Sequence, residues 1–318
     1  MNELLNNAGL VGNIEDSAII PVPNSDLVMV KNIDIFTPII DEPEIMGEIA
    51  AANVTNDVFA LNVPDISGML VFLGIKKYMP MPIAEGILKG IRNFIENKIN
   101  SKVLGGHTIY TELPLIGGEA SGFVDKNKII RKNYIESGDT LIITKPVGNQ
   151  AIMAAYRLQK NNPDHLKAFS KSEIDKSIDL AVEYMTLPLR DVVKSIHSYD
   201  DVSFIHSMTD VSGFGLAGHL KEMLQKSNFS AEITNVPIFK LARELSYDFG
   251  YKFDECEMPE TSGGMLLAVE SKNAQEFSER LEEEFNVANW IIGSIDNKDE
   301  PRRVRVSKNV EHIEITTI

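Results

Sequence analysis

Four aspartates, Asp16, Asp34, Asp57 and Asp210, stand in widely separated parts of the chain, each at or near the end of an apolar run. A lone carboxylate is costly to bury unless something cationic compensates it. Magnesium prefers an octahedron of oxygens and is often held by a few carboxylates together with substrate phosphates. Carboxylates gathered from distant segments would therefore suit a nucleotide held through more than one divalent ion. Aspartates also end strands and begin helices because they cap and turn, and that reading stays open for each of them taken singly. It fits Asp57 least well, because Asp57 lies inside a helical pattern.

The elements that must position these groups centre on residues 32–62. An apolar strand over Leu27–Ile33 delivers Asp34, and Thr37-Pro38 turns the chain. Pro43 then opens a helix, where its missing N–H is not needed. Ile45, Ile49, Ala52, Val54, Val58 and Leu61 give that helix something to bury. Asn53 and Asp57, four residues apart, share the face that Ile49 began. We read Asp34 and Asp57 as pointing into one site, neutralised there by metal ions. Further strands are expected at Met69–Ile75, Lys102–Leu104, Leu115–Val124, Thr140–Thr144 and Phe204–Met208, with an amphipathic helix over Pro82–Ile99. Gly105-Gly106-His107-Thr108 reads as a tight turn whose backbone N–H groups could cradle a phosphate. Gly213-Phe214-Gly215, before a helix from Leu216, could do the same at a helix N-terminus. Glycine pairs are also ordinary turn punctuation. Strands and helices interleave throughout, which predicts an α/β (α+β) fold. A boundary near Gly148 divides it into residues 1–148 and 149–318.

The whole chain limits the chemistry. It has 318 residues, 46 acidic against 31 basic, and a formal net charge of −15. Nucleic acid and anionic membranes reward a basic surface, so both are excluded as partners. An acidic protein that binds a polyanion needs divalent cations between the two. Cys256 is the only cysteine, so no intrachain disulfide forms and a reducing cytoplasm fits. The start, Met1 to Leu10, lacks the basic and apolar blocks of a signal peptide, and the apolar run Ile66–Ile75 is too short to span a bilayer. No Walker motif is present, which argues against a P-loop nucleotide site. The six histidines show no HxxxH or HxH spacing, which excludes an ordinary zinc site. His219 and Cys256 read as structural.

Taken together, several segments resemble selenophosphate synthetase (selenide, water dikinase), of the aminoimidazole ribonucleotide synthetase superfamily. They are Glu15-Asp16-Ser17-Ala18, Ile33 to Asp41, Ile49 to Asn53 with Asn56 to Ala60, and Gly105-Gly106-His107-Thr108. Thr144-Lys145-Pro146, Thr209 to Gly215 with Gly218-His219-Leu220, and Thr261-Ser262-Gly263-Gly264 follow in the family's order.

The resemblance implies a two-domain fold in which N-terminal strands join into a barrel across a dimer axis. It implies ATP binding between the domains, with Mg2+ held by Asp16, Asp57 and Asp210. Asn13, Ile14, Glu15, Asp34, Asp57, Gly106, His107 and Thr108 would contact the nucleotide. The implied reaction converts selenide, ATP and water to selenophosphate, AMP and phosphate in a cytoplasmic homodimer. The family's glycine-rich segment with a catalytic cysteine or selenocysteine and a catalytic lysine lies upstream of this chain's start, and no residue here matches either position. Three readings stay open on that point: a truncated product, a separate chain that supplies the segment, or a paralogue. A paralogue would be an ATP-binding regulatory module or would act on another small acceptor. Further departures are Asn62 and Val63 in place of two glycines, Met258 and Glu260 around Thr261, and a changed loop over Ile109–Gly118.

Overall fold

The computed structural model describes residues 15–297 and 300–318. The nucleotide contacts expected at Asn13 and Ile14 therefore lie outside the described residues. The first sheet has the order β1 (Ala18–Pro21), β2 (Leu27–Phe36), β5 (Leu115–Asp125), β3 (Ile66–Ile75) and β4 (Val103–Tyr110). β3 and β4 are parallel, and the other pairs are antiparallel. Along β2, Val28 and Val30 are buried while Ile33 and Ile35 are exposed. The two-residue alternation of a strand therefore sets Val28, Val30, Asn32 and Asp34 on the inner face. β2 runs past the expected end at Ile33 because β5 keeps pairing with it as far as Phe36 opposite Ile116.

Helix α1 (Pro43–Phe59) lies on that inner face, against β2 and β5. Asn32 donates to the Val54 carbonyl at 3.2 Å and ties the strand to the helix. On its other side α1 meets α2 (Met81–Arg92) almost backbone to backbone. A Cβ on Gly90 would lie 1.8 Å from the Glu44 carbonyl oxygen, and one on Gly47 would lie 2.1 Å from that of Ile87. Covered on both sides, α1 buries eleven residues, from Met46 to Phe59. The helix expected over Pro82–Ile99 ends as a π-helical turn, Asn93–Lys98.

Two sequence expectations are corrected. Gly105 to Thr108 is no turn: it is strand β4, paired with Leu70 to Leu73 of β3. Gly106 is needed for that pairing, since a Cβ there would sit 2.1 Å from the Val71 carbonyl oxygen. The strand at Thr140–Ile143 (β6), expected to close the first half, lies instead inside the second sheet.

That sheet has the order β11 (Val304–Ile315), β8 (Ser230–Phe239), β10 (Trp290–Asp296), β6, β9 (Met265–Val269) and β7 (Ile205–Asp210). β6, β9 and β7 are almost wholly buried. The apolar runs of β6 and β9 are those of strands covered on both faces. Helices α3 (Asn149–Asn161), α4 (Lys171–Met185) and α7 (Ala242–Phe249) pack as one group, with α4 and α7 against β8. α8 (Ser271–Phe285) packs against β6 and α5 (Arg190–His197). α6 (Gly215–Met223) follows directly from β7.

Candidate functional site

Asp34 projects from β2 toward α1 and accepts a hydrogen bond from Asn53 Nδ2 at 2.7 Å. Asp57 lies one turn further along the same helix. The Ser17 hydroxyl donates to the Asp57 carbonyl at 2.9 Å, which brings the lead into β1, and so Asp16, to the end of α1. Asp210 ends β7 in the other sheet and is 2% exposed. Its carboxyl lies beside that of Asp57. Burial, then the charge of Asp210, raises Asp57 well above the usual carboxylate range, with Asp34 and Asp16 adding to the rise. Burial, then the charge of Asp16, pushes Asp210 up to about 7. The four aspartates singled out in the sequence thus converge, three from the first sheet's side and one from the second.

Asp16 is held on one side only. Its Oδ1 accepts from Lys132 Nζ at 3.0 Å, while its buried Oδ2 has no hydrogen-bond partner among the described residues. Burial raises its pKa, and Lys132 works against that rise. An unpartnered buried carboxylate oxygen beside two carboxyls that repel one another fits a divalent cation. Among the described residues no group of three or more His, Cys, Asp or Glu side chains is arranged to hold a metal ion by itself. Magnesium in nucleotide sites takes much of its shell from water and substrate phosphates, so an open carboxylate set agrees with it. Glu15 faces away from the cluster, toward the Arg131 guanidinium at 3.3 Å and the Lys132 N–H at 3.4 Å.

Gly106, His107 and Thr108 are not brought to these carboxylates. They are exposed on β4. Gly106 and His107 line a shallow pocket with Ile33, Leu70 and Glu119 on the sheet face away from α1. Gly215 opens α6 at φ +68, and a Cβ there would meet the Met258 carbonyl oxygen at 2.3 Å. Its glycine character serves that close approach.

Reading the sequence missed four further polar groups. Lys132 is 4% exposed and sits between Asp16 and Glu222, whose Oε2 is 3.2 Å from its Nζ. Lys145 donates from Nζ to the Leu187 and Ser262 carbonyls at 2.7 and 3.0 Å, and burial lowers its pKa to about 7. Ser262, at φ +49, donates its N–H to Asn53 Oδ1 at 2.9 Å and so fixes the amide that holds Asp34. Glu260 accepts from the N–H groups of Gly148 and Asn149 at 2.7 and 2.9 Å, capping α3, and burial pushes it up to about 8. Lys145 and Ser262 stood in matching segments, but nothing in their spacing showed that they meet. His219 is structural, as expected: its Nε2 accepts the Ser212 N–H at 3.0 Å, and burial lowers its pKa to about 4. Cys256 is buried, and its thiol is pushed up to about 12, which suits no nucleophile.

Residues 14–124 match the family "AIR synthase related protein, N-terminal domain", and residues 136–305 match its C-terminal domain. The chain is 36% identical to a selenide, water dikinase of Methanocaldococcus jannaschii, over 99% of this chain and 89% of that protein. It is 35% identical to that of Methanococcus maripaludis, over 96% and 90%. Among solved structures it resembles the thiamine monophosphate kinase of Aquifex aeolicus, with TM-score 0.71 and 16% identity, covering 98% of each chain. It also resembles a hydrogenase maturation protein HypE in complex with ATP, with TM-score 0.69 and 18% identity, covering 94% and 85%. At such identities these two likenesses concern the fold. By the family matches and the near full-length relatives, the chain belongs to the selenide, water dikinase family of AIR-synthase-related proteins.

Proposed function

We propose that this protein is an ATP-dependent phosphotransferase acting on a small inorganic acceptor, selenide. It converts selenide, ATP and water to selenophosphate, AMP and phosphate. The observation that carries this reading is the meeting of Asp57 and Asp210, on elements of different sheets, beside the unpartnered Oδ2 of Asp16. These three carboxylates would hold Mg2+, which would supply positive charge against the phosphoryl group being transferred. Asp34 and Asp57 would position the nucleotide, with Asn53 and Ser262 keeping Asp34 in place. The protein's work is then mainly orientation and electrostatics.

The working form in this proposal is a homodimer in the cytoplasm. The outer face of the first sheet exposes Ile33 (67%), Leu70 (46%), Phe123 and Ile35. A second copy packed there would cover both this apolar surface and the β4 edge. Gly106 and His107 line that side, so their part in nucleotide binding would depend on the partner protomer. The nucleotide- and dimer-bearing part and the second α/β part join between Asp125 and Thr140, where the chain changes sheet, ahead of the boundary expected at residue 148. Among the described residues no helix is long and apolar enough to cross a membrane.

Phosphorus NMR of products formed from ATP, Mg2+ and selenide tests the reaction. Selenophosphate, AMP and phosphate in equal amounts support it. AMP formation that ignores selenide would redirect the reading to another acceptor.

A further inference from the structure

Lys132 is a lysine almost wholly inside the protein, and both of its side-chain partners are carboxylates. Its Nζ lies 3.0 Å from Asp16 Oδ1 and 3.2 Å from Glu222 Oε2. The side chains of Lys132 and Asp16 are each 6% exposed, whereas that of Glu222 is 27% exposed. Lys132 is thus a resident cation at the edge of the acidic cluster, bonded to one oxygen of the carboxylate whose other oxygen is free. Glu222 has a second neighbour, His219 Nδ1 at 3.8 Å. Because His219 Nε2 accepts the Ser212 N–H, the ring proton sits on Nδ1, which is buried without a hydrogen-bond partner.

We propose that Lys132 is a positioning residue that competes with the divalent ion for Asp16, and that Glu222 tunes this competition by sharing the ammonium. Like charges near one another repel, so an ammonium on Asp16 weakens cation binding at the adjacent oxygen. Glu222 gives that ammonium a second carboxylate to remain with once a divalent ion takes Asp16. The inference rests on the metal-site reading above and assigns a role to two residues outside the metal-ligand set.

The opposite signs expected of two substitutions separate this role from a merely structural one. Full-length protein is stripped with EDTA, and Mn2+ is titrated calorimetrically without nucleotide. Lys132→Met is expected to bind Mn2+ about tenfold more tightly or better, a floor well below the Coulomb value for one unit charge at an effective dielectric constant of about 20. Glu222→Gln, isosteric and at a partly exposed position, is expected to bind about threefold or more weakly, since Lys132 then has Asp16 as its only carboxylate partner. Weaker binding in both variants, or no change in either, overturns the proposal. Should Lys132→Met fail to fold, Glu222→Gln decides alone: unchanged or tighter binding overturns it. Absence of Mn2+ binding by the wild type removes the metal-site reading itself, and the proposal with it.

Discussion

Asp57 and Asp210 both stand above the usual carboxylate range because each is buried beside other acidic groups. A carboxyl whose pKa is raised in the folded state contributes its full stability only below its unfolded value. That contribution is lost as pH rises through the folded value, here about 7 for Asp210. At pH 8, with EDTA present, Asp210→Asn is therefore expected to be more stable than wild type by about 2 kcal/mol, read by denaturant unfolding. Mg2+ with ATP should reverse the order, since it stabilises the protein that binds it. A variant that is less stable in EDTA would mean the carboxyls do not repel. Glu260 offers a pH test away from the cluster. Its pKa of about 8 against an ordinary 4.5 places its loss of stability between about pH 5 and 8. Glu260→Gln gives up one of the two bonds that cap α3. Its melting temperature, relative to wild type, should nonetheless rise steadily as pH goes from about 5 to 8. A constant difference across that range would contradict the buried, titrating carboxyl.

Among the elements, α1 is the one on which the site depends, and its position is set by glycines in its neighbour. Gly90→Ala would drive a methyl group to 1.8 Å from the Glu44 carbonyl oxygen. Part of α1 or α2 must then shift, at an expected cost of about 2–4 kcal/mol in urea unfolding. Affinity for nucleotide should fall with it, although Gly90 is no part of the site. Helix α1 was legible in the sequence because Pro43 marks its start and the Asn53–Asp57 spacing puts both groups on one face. The convergence with Asp16 and Asp210 was legible only through motifs that match a family in order. β4 was not legible. Gly105-Gly106 looks like turn punctuation, and only the parallel register with β3 shows that Gly106 is there to let the Val71 carbonyl approach. The Lys132 contacts were hidden for a different reason. Their partners lie 116 and 90 residues away, and no local period reports such pairs. Asn62, which stands where the family resemblance called for glycine, takes φ +61, a conformation asparagine tolerates.

For the whole molecule, two sheets of different order are joined through side chains that also form the site. Ser262 and Asn53 link the halves at its centre, and Lys98 Nζ, from the π-helical turn after α2, reaches the Thr186 carbonyl at 3.0 Å. The outer face of the first sheet is left apolar, so Leu70→Lys is expected to turn a dimer into a monomer in light scattering after gel filtration. A wild type that is itself monomeric at micromolar concentration would contradict the proposed assembly. The central claim is that carboxylates from both sheets hold a nucleoside triphosphate through divalent ions. Calorimetric titration of ATP into the protein, with Mg2+ and then with EDTA, tests it most directly. Binding that requires Mg2+, and that falls at least about a hundredfold in both Asp57→Asn and Asp210→Asn, is the predicted result. Equal binding in EDTA, or binding untouched by either substitution, would contradict it.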